Sequence, residues 1–299
     1  MIGPEHEAVR PAGGEAFTDS VSFAFGDLES ELFGAARIGL AGPARRASAL
    51  ALLFSGGEPA AARAEGGIDV DSPDWARIDV AGVTAAVDEP LARWRVAFAG
   101  EGAGFELTFA ALGSPAELDA AAAVPRAGGL AGYEQLCRVE GTVTVGDRAR
   151  EMSCLGQRGH AWGDVDWSAI ELSRTVSAWL GDDRAVTLSA IRPQDARSHA
   201  DEALSAFLLE AAQDGAAAQP RAVAEPRLST TYDSEGHQRR AGLELWLTGD
   251  DEEIPRRVAG QVACGTSLDL GRLRLDSAFF QWRMEGRTGA GRYDVLRRA

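Results

Sequence analysis

One stretch of the chain, Gly156-Gln157-Arg158-Gly159-His160-Ala161-Trp162-Gly163-Asp164-Val165-Asp166-Trp167, gathers an imidazole, two indoles, two carboxylates and a guanidinium. Side chains alternate between faces along an extended strand, so Arg158, His160, Trp162, Asp164 and Asp166 would share one face. Inside an apolar enclosure such a row can do acid chemistry, because desolvation and a neighbouring like charge raise a carboxyl pKa until it donates a proton. In this reading His160, Asp164 and Asp166 share acid and base duty. Trp162 and Trp167 shape a pocket and stabilise a developing cation, while Arg158 orients a substrate carboxylate. Tyr133 and Glu134, on the way into the preceding strand, are further candidates for ligand contact. A scaffold reading stays open beside this one: Arg158 pairs with Asp164 or Asp166 at a barrel end, Trp162 is core, and His160 bonds to backbone.

Other chemistries are excluded on composition and motif. All 30 basic residues are arginine, which removes lysine Schiff bases and a lysine-bearing phosphate loop. No GxSxG nucleophile elbow occurs, and no dinucleotide fingerprint follows a strand and opens a helix. Gly286-Arg287-Thr288-Gly289 reads as a turn without the helix that a phosphate site needs. His199 and His237 fall in polar, loop-like stretches and read as solvated. The net charge of −15 argues against nucleic-acid partners, since an acidic surface repels phosphate. Cys137, Cys154 and Cys264 are widely spaced within strand-like runs, as reduced core thiols would be, and no metal-ligand spacing is present. Without an apolar run of about 18 residues or a secretory leader, the expectation is a cytoplasmic chain with no membrane span. No cofactor is implied, and the oligomeric state is not legible.

The elements that must position these residues are strands. Period-two alternation marks residues 21–25, 78–80, 93–98 and 105–109, with glycine punctuation at Gly56-Gly57, Gly66-Gly67 and Gly100-Glu101-Gly102. Residues 134–145 and 148–155 form a hairpin about Gly146-Asp147. Further strands are expected at 169–180, 184–191, 204–211, 222–232, 241–247, 258–264, 273–284 and 293–298, with turns at Asp214-Gly215 and Glu235-Gly236. One helical signal, the capping box Ser114-Pro115-Ala116-Glu117, predicts a short helix through Val124, stopped by Pro125. Residues 1–14 show no periodicity and read as a mobile tail. The result is an all-β chain of two antiparallel barrel or sandwich halves, residues 15–147 and 148–299, joined at the central hairpin.

The pattern His160-Ala161-Trp162-Gly163 followed by Asp166-Trp167 resembles the lipocalin-like, two-barrel family of carotenoid 1,2-hydratases (hydroxyneurosporene synthases) and their relatives. Glu89-Pro90-Leu91 with Trp94, Gly132-Tyr133-Glu134-Gln135, and residues 276–293 with their Gly-Arg-Thr-Gly are similar to that family as well. The resemblance implies two calycin-like barrels with a ligand site near their junction, to which His160 and Trp162 contribute. The aspartate and aromatic that the hydratases use on a later strand have no match, since Thr187, Leu188 and Ser189 stand there.

Two functions fit these features. One is a cofactor-free enzyme acting on a polyene, terpenoid or polyketide-like substrate of secondary metabolism, by proton-initiated hydration or cyclisation or by shaping a pericyclic reaction. The other is a non-catalytic binder or carrier of a hydrophobic small molecule. They differ in whether an ionisable group lines the enclosed volume.

Overall fold

The computed structural model describes residues 1–210, 218–248 and 254–299. With 69% strand and 5% helix, the fold is all-β, as the alternation requires. Strands β1 (Phe17–Asp27), β2 (Leu32–Ala41), β3 (Arg46–Ser55), β4 (Glu58–Ile68), β5 (Ile78–Val80), β6 (Val83–Glu89), β7 (Arg93–Ala99), β8 (Ala103–Ala111), β10 (Leu130–Val145) and β11 (Arg148–Asp164) form one curled antiparallel sheet. Its order is β4-β3-β2-β1-β11-β10-β8-β7-β6-β5, and a short β9 (Ala116–Leu118) pairs with β10 off this path. The curl brings β3 against β5 and β6 and encloses a core that includes Phe23, Trp75, Trp94, Phe98 and Phe109.

The second half is a closed barrel of β12 (Ile170–Gly181), β13 (Arg184–Pro193), β14 (Ala203–Glu210), β15 (Gln219–Tyr232), β16 (Gln238–Leu247), β17 (Arg256–Asp269), β18 (Leu273–Met284) and β19 (Arg287–Arg298). Pairing of β19 with β12, as in Leu172↔Arg297, closes the ring and removes the free edges. The expected turn at Asp214-Gly215 and the end of the strand at Ala211 lie outside the described residues. Among the described residues no helix is long and apolar enough to cross a membrane.

Strands β2 and β3 carry no alternation, and the packing explains why. Along β3, Ala47, Ala49, Ala51 and Leu53 point into the first barrel. Leu50, Leu52 and Phe54 point the other way into a core shared with Trp179, Leu209, Phe279 and Ala290 of the second barrel. A strand buried on both faces reads as a continuous apolar run. The Gly66-Gly67 pair, expected between strands, instead sits inside β4 at a register shift, where Gly67 takes φ 73° as a bulge requires. The Gly286 turn is shorter than expected, because Arg287, Thr288 and Gly289 already pair in β19.

Three boundaries differ from those expected. First, the hairpin at Gly146-Asp147 is internal to the first sheet, and β11 runs on to Asp164 between β10 and β1, so the halves meet after that residue. Second, the capping-box segment is extended: Ala116 and Leu118 pair with Glu134 and Gly132. Helix α1 spans Ala123–Gly128 instead. Pro125 falls within its first turn, where no backbone donor is missed, and Gly129 at φ 80° ends it. Third, residues 1–14 are not a free tail: Pro4–Glu7 form a 3-10 turn, and the Glu7 side chain is buried in the first barrel.

Two outcomes test this packing. Phe279, fully buried, lies against Phe33 at 5.4 Å and Phe54 at 5.8 Å between ring centroids. Phe279→Ala should therefore cost about 3–5 kcal/mol in denaturant unfolding; a loss below about 1 kcal/mol would deny a shared core. The three cysteines are unpaired and buried, and burial pushes each thiol up to about 12. Thiol titration should find all three at once in denaturant and almost none in the native protein within the same interval.

Candidate functional site

Register on the β10–β11 hairpin distributes the candidate residues. Tyr133 pairs with His160, Gln135 with Arg158 and Ala131 with Trp162, so these side chains share the face turned into the first barrel. Glu134, opposite Gly159, belongs to the other face, turned toward the second barrel.

On the inner face Arg158 is 2% exposed and His160 1%, with charge partners that the motif does not contain. Arg158 Nη1 donates to Glu7 Oε1 at 2.8 Å and Nη2 to Gln135 Oε1 at 2.6 Å. Trp94 Nε1 and the Tyr133 hydroxyl also donate to the Glu7 carboxylate. Gln135 is fixed in turn by the carbonyls of Leu91 at 3.0 Å and Gly113 at 2.7 Å. Burial works against the Arg158 charge, but Tyr133 and Glu7 hold its pKa above the ordinary value. Burial also drives the Tyr133 phenol well above its ordinary range. His160 Nε2 lies 2.6 Å from Oδ1 of the buried Asp19, whose Oδ2 accepts from the Arg10 amide at 2.7 Å. The rings of Trp162, Tyr133 and Trp75 surround the imidazole at 5.1 to 6.0 Å. Trp162 is partly exposed beneath the Arg10 guanidinium, 4.7 Å from its ring.

The two proposed acids of the motif lie elsewhere. Asp164 and Asp166 are exposed where β11 ends, which corrects their expected place in an enclosed row. Asp166 caps a turn, accepting from the Ser168 amide at 2.8 Å and hydroxyl at 2.5 Å. These bonds hold its carboxyl below the usual range, so it stays ionised near neutrality. Arg158 pairs with neither aspartate. Both readings of the motif missed Glu7 and Asp19, because no local spacing links residue 7 or 19 to residue 158 or 160.

On the outer face lies a cavity of about 140 Å³ between the two barrels. One wall is the hairpin, with Gly132, Glu134 and Ala161; facing it stand Thr175, Ser189 and Ser205, paired across β12, β13 and β14. Leu118, Val124, Val165, Trp167, Ile191 and Phe207 supply apolar surface. His160 and Tyr133 border it too, although His160 Nε2 and the Tyr133 hydroxyl bond on the inner side. Trp167 lines this cavity, whereas Trp162 does not border it. Thr187 and Ser189 do border it.

Glu134 brings a carboxyl to this cavity. Burial, the dominant cause, raises its pKa from 4.5 to about 7, opposed by the Gln157 hydrogen bond and by the charges of Arg292 and Arg158. Gln157 Nε2 donates to Glu134 Oε2 at 2.7 Å, and Gln157 Oε1 accepts from Trp179 Nε1 at 3.3 Å, which fixes the amide orientation. A Cβ at position 159 would come 2.5 Å from Glu134 Oε2, so the Gly159 of the motif makes room for this carboxyl. Among the described residues no three His, Cys, Asp or Glu side chains gather as a metal site would need.

Several solved structures share the two-barrel lipocalin-like fold. CghA in complex with Sch210972 is 14% identical, with a TM-score of 0.67 over 95% of this chain and 89% of that one. An AttH-type protein from Nitrosomonas europaea is 12% identical, with a TM-score of 0.64 over 94% and 92%. Kievitone hydratase from Nectria haematococca is 9% identical, with a TM-score of 0.62 over 95% and 89%. At these identities the likeness carries the fold alone. No curated protein sequence matches. A family model, by contrast, covers residues 3–299, and the chain belongs to that family, DUF7064, described as a domain of unknown function.

Proposed function

We propose that this chain is an enzyme that protonates an apolar, alkene-bearing small molecule in the junction cavity, with Glu134 as the acid. The observation that carries this reading is the Glu134 carboxyl itself, held at about 7 within a mostly apolar enclosure. A general acid works best when its pKa lies near the working pH. At neutrality a large fraction of Glu134 is protonated, yet its conjugate base is still available to take the proton back.

The step balances within the site. Proton transfer from Glu134 to one alkene carbon leaves a cation on its neighbour, which the faces of Trp167 and Phe207 stabilise. Water addition followed by return of a proton to Glu134 completes a hydration. Attack by a second double bond of the same substrate, followed by loss of a proton from the resulting cation to the Glu134 carboxylate, gives a cyclisation. The hydroxyls of Thr175, Ser189 and Ser205 stand across the cavity where they would hold that water. Two of the solved neighbours support the choice: one is named a hydratase and another was solved with the small molecule Sch210972. The cavity size favours a single ring or a comparable branched segment inside, with any longer substrate extending outward. Binding without turnover is the competing function, and the ionisable group inside the enclosure favours catalysis over it.

Incubation with a panel of polyenes, terpenoids and polyketide-like alkenes tests the reading by product mass. Gain of one water reports hydration, and a new isomer of unchanged mass reports cyclisation. Retention of unaltered ligand with no product across the panel would assign the chain to the binders. For any substrate turned over, Glu134→Gln should lower kcat/KM by about 10²–10⁴-fold, with the wild-type rate falling as pH rises past about 7.

Stability offers an independent check. Because the folded-state pKa of Glu134 lies above its unfolded value, its contribution is full below about 4.5 and is lost as pH rises through about 7. Wild-type stability measured against Glu134→Gln should fall across that window; a flat difference would mean the carboxyl titrates normally.

A further inference from the structure

The interior of the first barrel holds an anion site that the junction chemistry leaves unused. Trp94 on β7, Tyr133 on β10 and Arg158 on β11 aim their donors at one point, and the carboxylate found there comes from outside the sheet, on Glu7. We propose that this cradle is a binding site for the carboxylate of a small organic acid with a flat apolar body, and that Glu7 occupies it in cis on a displaceable plug, residues 3–13.

Three observations support the assignment. The first is how the plug is held. Glu7 is its one buried residue; the other ties are the Arg10 amide to Asp19, the Arg45 guanidinium to the Arg10 carbonyl, Arg10 and His6 against the Trp162 ring and Val9 against the core, while Pro4, Glu5, Ala8, Pro11 and Ala12 are exposed. A four-residue 3-10 turn has little stability of its own.

The second is that Glu7 matches the cradle incompletely. Arg158 Nε and His160 Nδ1 are buried without a hydrogen-bond partner among the described residues. Buried polar groups are ordinarily satisfied, so a ligand with a freer carboxylate and one more polar atom would complete what Glu7 leaves open.

The third is the surrounding surface. The Arg158 guanidinium lies 5.8 Å from the Trp94 ring and 5.5 Å from that of Tyr133, and Trp162 and Trp75 flank His160 nearby. These faces suit a flat apolar body beside the charge. Fold stability does not account for a buried arginine here, because apolar replacements of a buried ion pair are often as stable or more so.

Benzoate is the probe, with neutral benzamide as its control of equal shape, on the full-length chain. In wild type, benzoate has to compete with Glu7; in Glu7→Ala that competitor is gone. Affinity followed by tryptophan fluorescence should therefore rise about tenfold or more in Glu7→Ala. Glu7→Gln, which keeps the shape of the plug, should fall between the two and stands in if the alanine variant fails to fold. Arg158→Met in the Glu7→Gln background should abolish binding, and benzamide should bind none of them comparably. In wild type, saturating benzoate should speed hydrogen exchange of the Arg10 amide as the plug leaves. Equal affinity with and without the Glu7 carboxylate, or benzamide binding as well as benzoate, would overturn the carboxylate site. Benzoate binding to wild type with Arg10 exchange unchanged would overturn the displaceable plug. The outcome does not depend on Glu134, so Glu134→Gln should bind benzoate as wild type does.

Discussion

The hairpin of β10 and β11 is buried on both faces where it lies between the barrels, over residues 132–139 and 156–160, and most of what this molecule can do follows from that constraint. A strand with one wet face can send its polar side chains to water, whereas one between two barrels must pair each of them in one compartment or the other. Odd-numbered Tyr133 and Gln135 and even-numbered Arg158 and His160 make their hydrogen bonds inside the first barrel, to Glu7, Asp19 and each other. Glu134 and Gln157 are satisfied on the opposite side, in a chain that ends on Trp179 of the second barrel. Two polar networks thus share two strands and exchange no side chain.

Adjacent residues on one strand show how the two compartments differ. Burial raises the pKa of both Tyr133 and Glu134. For a phenol, whose ordinary value is already high, the shift removes ionisation from the physiological range altogether. For a carboxyl the same effect moves the value to about 7, where both protonation states are populated. Inward-facing Tyr133 therefore keeps its proton, whereas outward-facing Glu134 populates both states, as the proposed acid must.

The sequence disclosed the strand grammar and the two halves, because alternation is local. It did not disclose β2 and β3, whose two-sided burial erases alternation, or the true join after Asp164, which depends on β11 pairing with β1 across more than a hundred residues. The same limit applies to the site. Arg158, His160 and Trp162 share a face as their spacing requires, but Asp164, the last residue of β11, and Asp166 beyond it are exposed. The partners of Arg158 and His160 come from positions 7 and 19, and only the folded chain brings them together. Gly159 was legible as part of a motif; that its missing side chain accommodates Glu134 emerges from the cross-strand register.

Although the two networks exchange no side chain, they are within electrostatic reach. The Arg158 charge lowers the Glu134 pKa, in opposition to the larger effect of burial. How strongly it does so depends on what neutralises the guanidinium on its own side of the sheet. With a carboxylate in the Trp94–Tyr133–Arg158 cradle, the field that crosses the sheet is that of an ion pair and falls off steeply. With the cradle empty it is that of a bare cation, which favours the ionised form of Glu134 and so draws it away from the protonated state that an acid needs. A filled cradle, whether by Glu7 or by another carboxylate, therefore keeps the acid on the far face protonated to higher pH. The buried arginine therefore lowers the Glu134 pKa least when a carboxylate lies beside it in the cradle.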